Sequence, residues 1–400
     1  MARSDPHQQH ERLSPATTLL FAIACGAMVA NLYYAQTLID EIGPAIGLSP
    51  RLSGMIPTLT QLGYGLGLAL LVPLGDLFEN KRLTLIATAG TMVACLGIGL
   101  SRGPISFLAA SFLAGVCATG AQVLLPLATH LTPHDQQGRV IGRIMAGLLT
   151  GIMLARPVAS FLAETISWRA VFFLSAAIMA LLMIMLAALC PHRRPDAKLG
   201  YGAILVSTLG QVREQRELRL RAFYQAMNFA AFNLFWTSAP LVLLHRFHFS
   251  QSEVALFALA GAGGALSAPL AGWLADKGMS WWTTLAALML VALGFLGAIP
   301  AVFVGSIIAF VAAAILIDAA VQLNQVTGQK IIFALSKDAR ARVNSAYMTI
   351  VFVIGPMGSL IGSASFGIGG WAASATAGAA IGATTLSVFL LFDRGASRRG

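Results

Sequence analysis

The sequence predicts an all-α membrane protein with twelve transmembrane helices in two six-helix halves, and three observations support this prediction. Hydrophobic residues make up 57% of the 400 residues and charged residues only 10%, whereas a soluble domain carries about 25% charged residues. The apolar residues fall in long runs, and a helix of about 20 such residues crosses a bilayer core. A charged turn also occurs twice, about 200 residues apart, as expected for two similar membrane halves.

Twelve apolar runs are long enough to be membrane spans, and they are numbered here in chain order. The predicted spans are 17–38, 53–74, 84–101, 105–127, 139–162, 169–190, 222–243, 254–275, 281–300, 302–325, 343–365 and 371–392. We therefore expect an N-terminal half at 1–190, a linker at 191–221 and a C-terminal half at 222–400. Within the linker, Tyr201 to Leu220 has the pattern of an amphipathic helix on the membrane surface.

The positive charges predict which way the chain crosses the membrane. If the N-terminus is cytoplasmic, 21 of the 26 Lys and Arg residues fall in inner segments and 4 in outer loops. Positive residues are enriched in cytoplasmic loops, so we expect both termini in the cytoplasm. The net charge of +10 follows this membrane topology, and we expect no nucleic-acid partner.

The charged turn lies between spans 2 and 3 and again between spans 8 and 9. The first copy is Pro73 to Arg82 and the second is Gly272 to Gly278, and Asp76 and Asp276 occupy the same place in each. Asp76 can pair with nearby cations or cap the following helix. We expect these turns to act in gating. The candidate gating residues are Asp76, Lys81, Arg82, Asp276 and Lys277.

These motifs and the arrangement of the spans resemble those of a transporter of the major facilitator superfamily, and the resemblance covers nearly the whole chain. The sequence G-x-L-A-D-K at Gly272 to Lys277 fits the loop motif of that family, although Val72 and Glu79 replace the glycines of the first copy. Asn31 to Gln36 and Asp318 to Gln325 are similar to the arabinose-efflux-permease-like group of bacterial exporters. The resemblance implies alternating access, a bacterial inner membrane location and a turn that holds the cytoplasmic side closed.

In that family, spans 1, 4, 7 and 10 line the central cavity, and spans 2, 5, 8 and 11 line the interface between the halves. Each interface span has a pair of small residues four apart, beginning at Gly63, Gly147, Gly264 and Gly358. Polar residues within spans mark a cavity or bond to other helices. The candidate substrate-binding residues are Asn31, Tyr34, Gln36, Gln61, Tyr64, Gln122, Asn228, Asn233, Trp236, Gln322 and Tyr347.

Two charges lie inside predicted spans, Arg156 in span 5 and Asp318 in span 10. Helix rise and the predicted bounds place them at depths that differ by about 20 Å, too far for a salt bridge. A buried carboxyl without a fixed counter-charge is a candidate proton carrier. We therefore assign Asp318, with Arg156, to proton coupling.

These features favour a secondary transporter that exports a small organic solute in antiport with protons. An uncoupled facilitator for a metabolite or a sugar is the alternative within transport, and an intramembrane enzyme or sensor is the alternative of another class. The chain has no G-x-x-x-x-G-K-[ST] loop and no G-x-S-x-G motif, so we expect no enzyme, and we expect no cofactor or metal. We expect a monomer whose partners are the substrate, protons and the lipid bilayer.

Overall fold

The computed structural model describes residues 14–133, 136–195, 200–265, 267–335 and 340–393. Every regular element among these residues is helical, which confirms the predicted class. Both chain ends lie outside the described residues, so the cytoplasmic location of the termini stays a prediction. Below, the inner side is the side on which Pro15 and Phe392 lie, and it is cytoplasmic in the predicted orientation.

The N-terminal half contains spans 1 to 6. Its helices are Pro15–Ala30, Tyr34–Thr37, Ile39–Ala45, Pro50–Leu52, Met55–Leu70, Val72–Asp76, Asn80–Leu100, Pro104–Ala118, Ala121–His130, Gln137–Thr165 and Trp168–Leu189. Local signals set several starts. The Ser14 hydroxyl accepts from the Thr17 amide at 3.0 Å, and Pro15 stands at the first helical position.

The remaining helices form a linker helix and spans 7 to 12. They are Tyr201–Glu214, Arg216–His245, Gln251–Ala258, Ala260–Ala265, Ser267–Asp276, Ser280–Phe303, Ile307–Leu335, Arg340–Ile354 and Met357–Phe392. The last helix contains the outer part of span 11 and all of span 12, which meet at Gly369 and Gly370; these two glycines are non-helical, and Gly370 has a φ of 60°. The positive φ of Gly370 suits glycine, because glycine has no Cβ.

The twelve predicted spans correspond, in chain order, to these helices. Within the described residues, nine helical segments are long and apolar enough to cross a membrane, and the last of these holds spans 11 and 12. Span 1 is a shorter apolar helix, Pro15–Ala30, extended by the broken segment up to Ala45. Span 8 consists of three short consecutive helices, so none of the three is long enough by itself to cross a membrane.

The linker differs from its prediction at one boundary. The amphipathic helix ends at Glu214 because Gln215 is extended, with φ −94° and ψ 97°, and span 7 already begins at Arg216. Arg221 is consequently buried in the bundle, where its Nη2 pairs with Asp393 Oδ2 at 2.9 Å. The linker helix packs against span 11 and the first charged turn, and the Tyr201 hydroxyl donates to the Leu70 carbonyl at 2.9 Å.

Small residues bring helices together inside each half. A Cβ added at Gly63 would overlap span 4, and one at Gly147 would overlap span 1. A Cβ at Gly264 would overlap span 10, and one at Gly358 would overlap span 7. The expectation that these motifs lie between the halves is therefore wrong. Each joins an interface span to a central span, which fixes the four central spans around the site.

Candidate functional site

The centre of the bundle contains a hydrogen-bonded chain of polar side chains that crosses from one half to the other. Gln36 of the broken part of span 1 donates to Asn233 Oδ1 of span 7 at 2.8 Å, and Gln61 of span 2 donates to the same oxygen at 2.9 Å. Gln36 Oε1 accepts from Arg156 Nε of span 5 at 3.0 Å. Four predicted site residues thus meet at the centre, and three belong to one half.

Arg156 lies between aromatic rings from both halves. Its guanidinium carbon is 5.1 Å from the ring centroid of Tyr33, 5.1 Å from that of Phe232 and 4.4 Å from that of Trp236. The side chain is only 3% exposed, and cation–π attraction at such distances holds a desolvated guanidinium in place. Tyr33 and Phe232 were absent from the predicted site. Tyr33 lies within Asn31 to Gln36, and Phe232 directly precedes Asn233 to Trp236. Their position in or beside these polar segments is the signal that could have located them.

Asp318 contacts the same tryptophan, at its indole nitrogen. Trp236 Nε1 donates to Asp318 Oδ1 at 2.7 Å, and the acid is 6% exposed. Glycines of span 8 make room for it, because a Cβ on Gly261 would meet Asp318 Oδ2 and one on Gly264 would overlap its Cβ. The only intramembrane acid predicted from sequence is thus packed between spans 7, 8 and 10.

The predicted depth difference between Arg156 and Asp318 is wrong. Arg156 is nine residues from the outer end of its helix at Thr165, or about 14 Å. Asp318 is eleven residues from the outer end of its helix at Ile307, or about 16 Å. The prediction began span 10 at 302, too early, and ended span 5 at 162, too soon. The two charges lie at nearly one depth and contact the same indole, although no ion pair joins them among the described residues.

Two predicted residues, Asn31 and Tyr34, are buried in the N-terminal half, and Asn31 forms hydrogen bonds there. Asn31 Oδ1 accepts from Ser175 Oγ at 2.7 Å and from Cys95 Sγ at 3.1 Å, while its amide nitrogen donates to the Ala27 carbonyl at 2.9 Å. Tyr34 is also buried, 9% exposed. Asn31 therefore ties spans 1, 3 and 6 together and points away from the centre, which makes its role structural.

Other predicted residues flank the centre. Gln122 of span 4 donates to the Tyr64 hydroxyl at 2.8 Å, and the Tyr64 ring meets Phe352 of span 11 at 4.8 Å. The side chain of Asn228 and the hydroxyl of Tyr347 are buried without a hydrogen-bond partner in the described part of the chain. Gln322 is half-buried. A polar group that was not predicted lies in this inner region, where Asn324 Nδ2 donates to Gln225 Oε1 at 2.7 Å.

The first charged turn has a different acid from the one expected to pair. Arg82 Nε pairs with Glu79 Oε2 at 2.9 Å, and His192 Nδ1 contacts Glu79 Oε1. The hydrogen bond with His192 holds the pKa of the Glu79 carboxyl below its ordinary value, with Arg82 adding to the effect. Asp76 is exposed and has no ion pair among the described residues. The sequence reasoning failed here because it treated Glu79 only as a substituted glycine.

The second charged turn pairs its aspartate with another span. Asp276 Oδ1 accepts from Lys330 Nζ at the inner end of span 10 at 2.7 Å. The neighbouring Lys277 lies 3.9 Å from the ring centroid of Trp273. Both contacts stay inside the C-terminal half. In this conformation neither turn supplies an ion pair between the halves within the described residues.

On the outer side, the two halves contact each other at several points. His245 Nε2 meets Asp40 Oδ2 at 2.9 Å, and the Ser252 amide donates to Glu164 Oε2. Ser363 Oγ accepts from the Gly54 amide at 3.0 Å. The extensive contact between spans 5 and 8 involves Gln251–Ala258, the outermost segment of span 8. The conformation is therefore closed on the outer side.

Comparison with known proteins agrees with this architecture. The family model described as Major Facilitator Superfamily matches residues 17–296 and 221–400. A protein of Escherichia coli O157:H7 that is named as an uncharacterized transporter, YgaY, is 40% identical over 387 residues, which is 95% of this chain and 96% of that protein. A Streptomyces coelicolor protein named as a transporter, SCO4007, is 30% identical over 356 residues, covering 88% of this chain and 82% of its own.

Solved structures share the fold. A bacterial homologue of the human lysosomal transporter Spinster, in an inward-facing and occupied conformation, superposes with a TM-score of 0.73 at 15% identity, over 100% of this chain and 98% of that one. The nucleoside transporter NupG superposes with a TM-score of 0.75 at 12% identity, over 94% of this chain and 99% of that one. With the family match and the two-half bundle, these findings show that the chain is a multi-pass membrane transporter that belongs to the Major Facilitator Superfamily.

Proposed function

We propose that the protein exports a small organic solute across the bacterial inner membrane by alternating access, in antiport with protons. The observation that carries the proposal is Asp318, a buried acid at the depth of the central polar chain. It contacts Trp236 of span 7 and the glycine-rich segment of span 8. A carboxylate in a bilayer core is costly and is retained mainly for function.

Movement of span 8 offers a way to expose and cover this acid. Span 8 is broken at Leu259 between two of its helices, and Gly261 and Gly264 lie directly on Asp318. Breaks and glycines in a span are places where a helix bends. When the outer side opens, span 8 must separate from span 5 at Gln251–Ala258, so the packing around Asp318 changes in the same step.

The charged turns are proposed as an inner latch that forms in the outward-open state. Asp76 is exposed and unpaired among the described residues in a conformation that is closed outside. A contact present in only one of two conformations shifts the equilibrium between them. Asp76 is therefore free to contact the opposite half when the inner side closes, as the family resemblance implies. Lys81, Arg82, Asp276 and Lys277 would support the two turns.

Proton coupling can be tested in proteoliposomes that contain a pH-sensitive dye. A panel of small solutes is loaded inside, and efflux and internal pH are followed after an imposed pH gradient. The wild type should move protons inward as a solute leaves. Asp318→Asn should abolish pH-driven transport and retain part of the solute–solute exchange, because an amide keeps the size of the side chain without titrating.

Glu214→Gln is the matched control, since Glu214 is an exposed acid on the linker helix. It should leave the pH dependence unchanged. A protein whose Asp318→Asn variant transports with the wild-type pH dependence would have its proton site elsewhere or none. Solute movement without any proton flux in the wild type would instead support the uncoupled facilitator.

A further inference from the structure

Arg156 has hydrogen-bond donors that the protein does not use. A guanidinium carries five N–H donors. Arg156 Nε donates to Gln36, while Nη2 is buried with no partner among the described residues. The three rings are near the guanidinium but offer no acceptor oxygen to Nη2. Buried donors are nearly always satisfied in native proteins, so this edge of the guanidinium is a place for an oxygen atom of a ligand.

The unused donor belongs to a charge that has no ion-pair partner among the described residues, although Asp318 acts on it electrostatically without forming an ion pair. A buried cation is strongly unfavourable unless an anion and further hydrogen bonds compensate it. No acid pairs with Arg156 in the part of the chain that the structure describes. A carboxylate matches the fork of a guanidinium through two parallel hydrogen bonds. The ligand group that best fits Arg156 is therefore a carboxylate.

Asp318 adds the opposite requirement a short distance away. The guanidinium carbon of Arg156 is 4.4 Å from the ring centroid of Trp236, and Asp318 Oδ1 is 2.7 Å from Trp236 Nε1. Once the width of the indole is included, the guanidinium and the carboxylate are at most about 10 Å apart. A ligand with only a negative charge would be repelled by ionised Asp318, and one with only a positive charge would be repelled by Arg156. A ligand that carries both charges satisfies both residues.

We propose that the transported solute is a small zwitterion, of the class of an α-amino acid or a close derivative, whose carboxylate binds Arg156 and whose ammonium group binds Asp318. Two hydrogen bonds of about 2.8 Å with an amino-acid head group between them span roughly 8 Å, within the limit set by Trp236. Ser160, one turn beyond Arg156, and Thr37, next to Gln36, each bury a hydroxyl without a partner in the described residues, so further polar groups of these two segments are unused. This inference rests on the proposed function.

The arrangement also explains how antiport would arise. The ammonium group and a proton compete for the same carboxylate of Asp318. A proton on Asp318 must therefore leave to water before the zwitterion binds, and it returns only after the zwitterion has left. Among the described residues, Arg156 and Tyr33 are the other charged or titratable groups that interact with this position, and neither needs to change protonation.

Calorimetric titration of the purified protein tests the ligand class without requiring transport. The probes are the standard amino acids, their N-acetyl forms, which lack the positive charge, and their amides, which lack the carboxylate. At least one amino acid should bind, and both of its modified forms should bind about tenfold more weakly or worse, since each loses a charge-assisted contact. The result that overturns the proposal is an equally tight N-acetyl form or amide, or no binding of any amino acid.

Variants then assign each charge to its residue. Arg156→Gln should weaken the amino acid about tenfold or more but leave the amide unaffected, and Asp318→Asn should do the same while sparing the N-acetyl form. Arg156→Lys should restore part of the affinity, which a merely structural role would not predict. Arg143→Gln, on the exposed inner part of span 5, is the matched control. Zwitterion binding without proton flux would remove only the antiport proposal, whereas proton-coupled export of a neutral solute would remove only this inference.

Discussion

The inner turns and the centre of the bundle differ in how they relate to the repeat of the chain. The turns are duplicated, since Asp76 and Asp276 are 200 residues apart and so are His130 and Lys330 at the inner ends of spans 4 and 10. The central charges are not, because Arg156 belongs only to the N-terminal half and Asp318 only to the C-terminal half. The turns proposed to act in gating are thus alike in the two halves, whereas the charges of the central site differ between them. A zwitterion needs two unlike charges, and two identical halves cannot provide one of each.

The two turns also differ from each other. The C-terminal turn has an exposed ion pair between Asp276 and Lys330. In the N-terminal turn, Asp76 and His130 interact electrostatically without an ion pair, and it is Glu79 that pairs with Arg82. The duplication therefore preserved the position of the aspartate, and the partner groups diverged.

The largest expected effect is on the duplicated packing that holds both regions in place. In Gly358→Ala, the new Cβ would overlap the carbonyl of Ala230 on span 7. Backbone cannot give way easily, so we expect a loss of about 3 kcal/mol and little folded protein. Gly272→Ala is the control, because a Cβ there meets nothing within 4 Å. Fluorescence-detected gel filtration measures the folded fraction, and equal recovery of the two variants would contradict the close approach.

The second expected effect concerns the asymmetric centre. Gln36→Leu removes the oxygen that accepts from Arg156 Nε and the bond to Asn233. Leaving a buried charged donor without its partner costs about 1–3 kcal/mol, and we expect transport to fall about tenfold or more. Gln329→Leu, at a half-buried residue near the inner end of span 10 and outside this chain of hydrogen bonds, should change transport far less. Similar losses of transport in both variants would show that transport does not specifically require this chain of hydrogen bonds.

Sequence alone predicted the architecture and many residues of the centre, but not the way in which they combine. The order of the spans, the repeat and the residues Gln36, Gln61, Asn233, Trp236, Asp318 and Arg156 all followed from polarity in apolar runs. The proximity of Arg156 to Asp318 did not, because an error of a few residues at each helix end changes the depth by several ångströms. Asn31 has the same polar signal as Gln36, and only packing against Ser175 and Cys95 reveals that it is structural.

The third expected effect separates the two turns by their transport roles. Asp76→Asn should reduce transport about tenfold, the effect of losing roughly 1.4 kcal/mol from one of two states. Asp276→Asn should have a smaller effect, because its pair with Lys330 lies within one half and is exposed. Initial rates in proteoliposomes measure both, normalised to inserted protein. Wild-type rates in the double variant would remove the latch from the mechanism.

The fourth effect is a pH dependence specific to the N-terminal turn. The pKa of Glu79 is lowered in the folded state, first by the hydrogen bond with His192. A carboxyl with a lowered folded-state pKa stabilises the protein above its ordinary pKa, and the contribution disappears as the pH falls through the lowered value. The difference in unfolding temperature between wild type and Glu79→Gln should thus be present at pH 7 and vanish in acid. A difference that stayed constant down to pH 3.5, or about one unit below the ordinary glutamate pKa, would contradict the assignment.

The smallest expected effect would make the N-terminal turn resemble the C-terminal one. His130 occupies the place of Lys330 in the repeat, so His130→Lys should let Asp76 form the ion pair that Asp276 has. Exposed pairs contribute about 0.2–1 kcal/mol, and at pH 8, where a histidine is ordinarily neutral, the new pair should be visible as a small rise in unfolding temperature. A double-mutant cycle with Asp76→Asn isolates it, since the rise should disappear when the carboxylate is absent. If the new pair also holds Asp76 within its own half, transport should fall slightly, because the latch must then exchange one partner for another. An unchanged transport rate together with a measured coupling energy would mean that Asp76 works without leaving its own half.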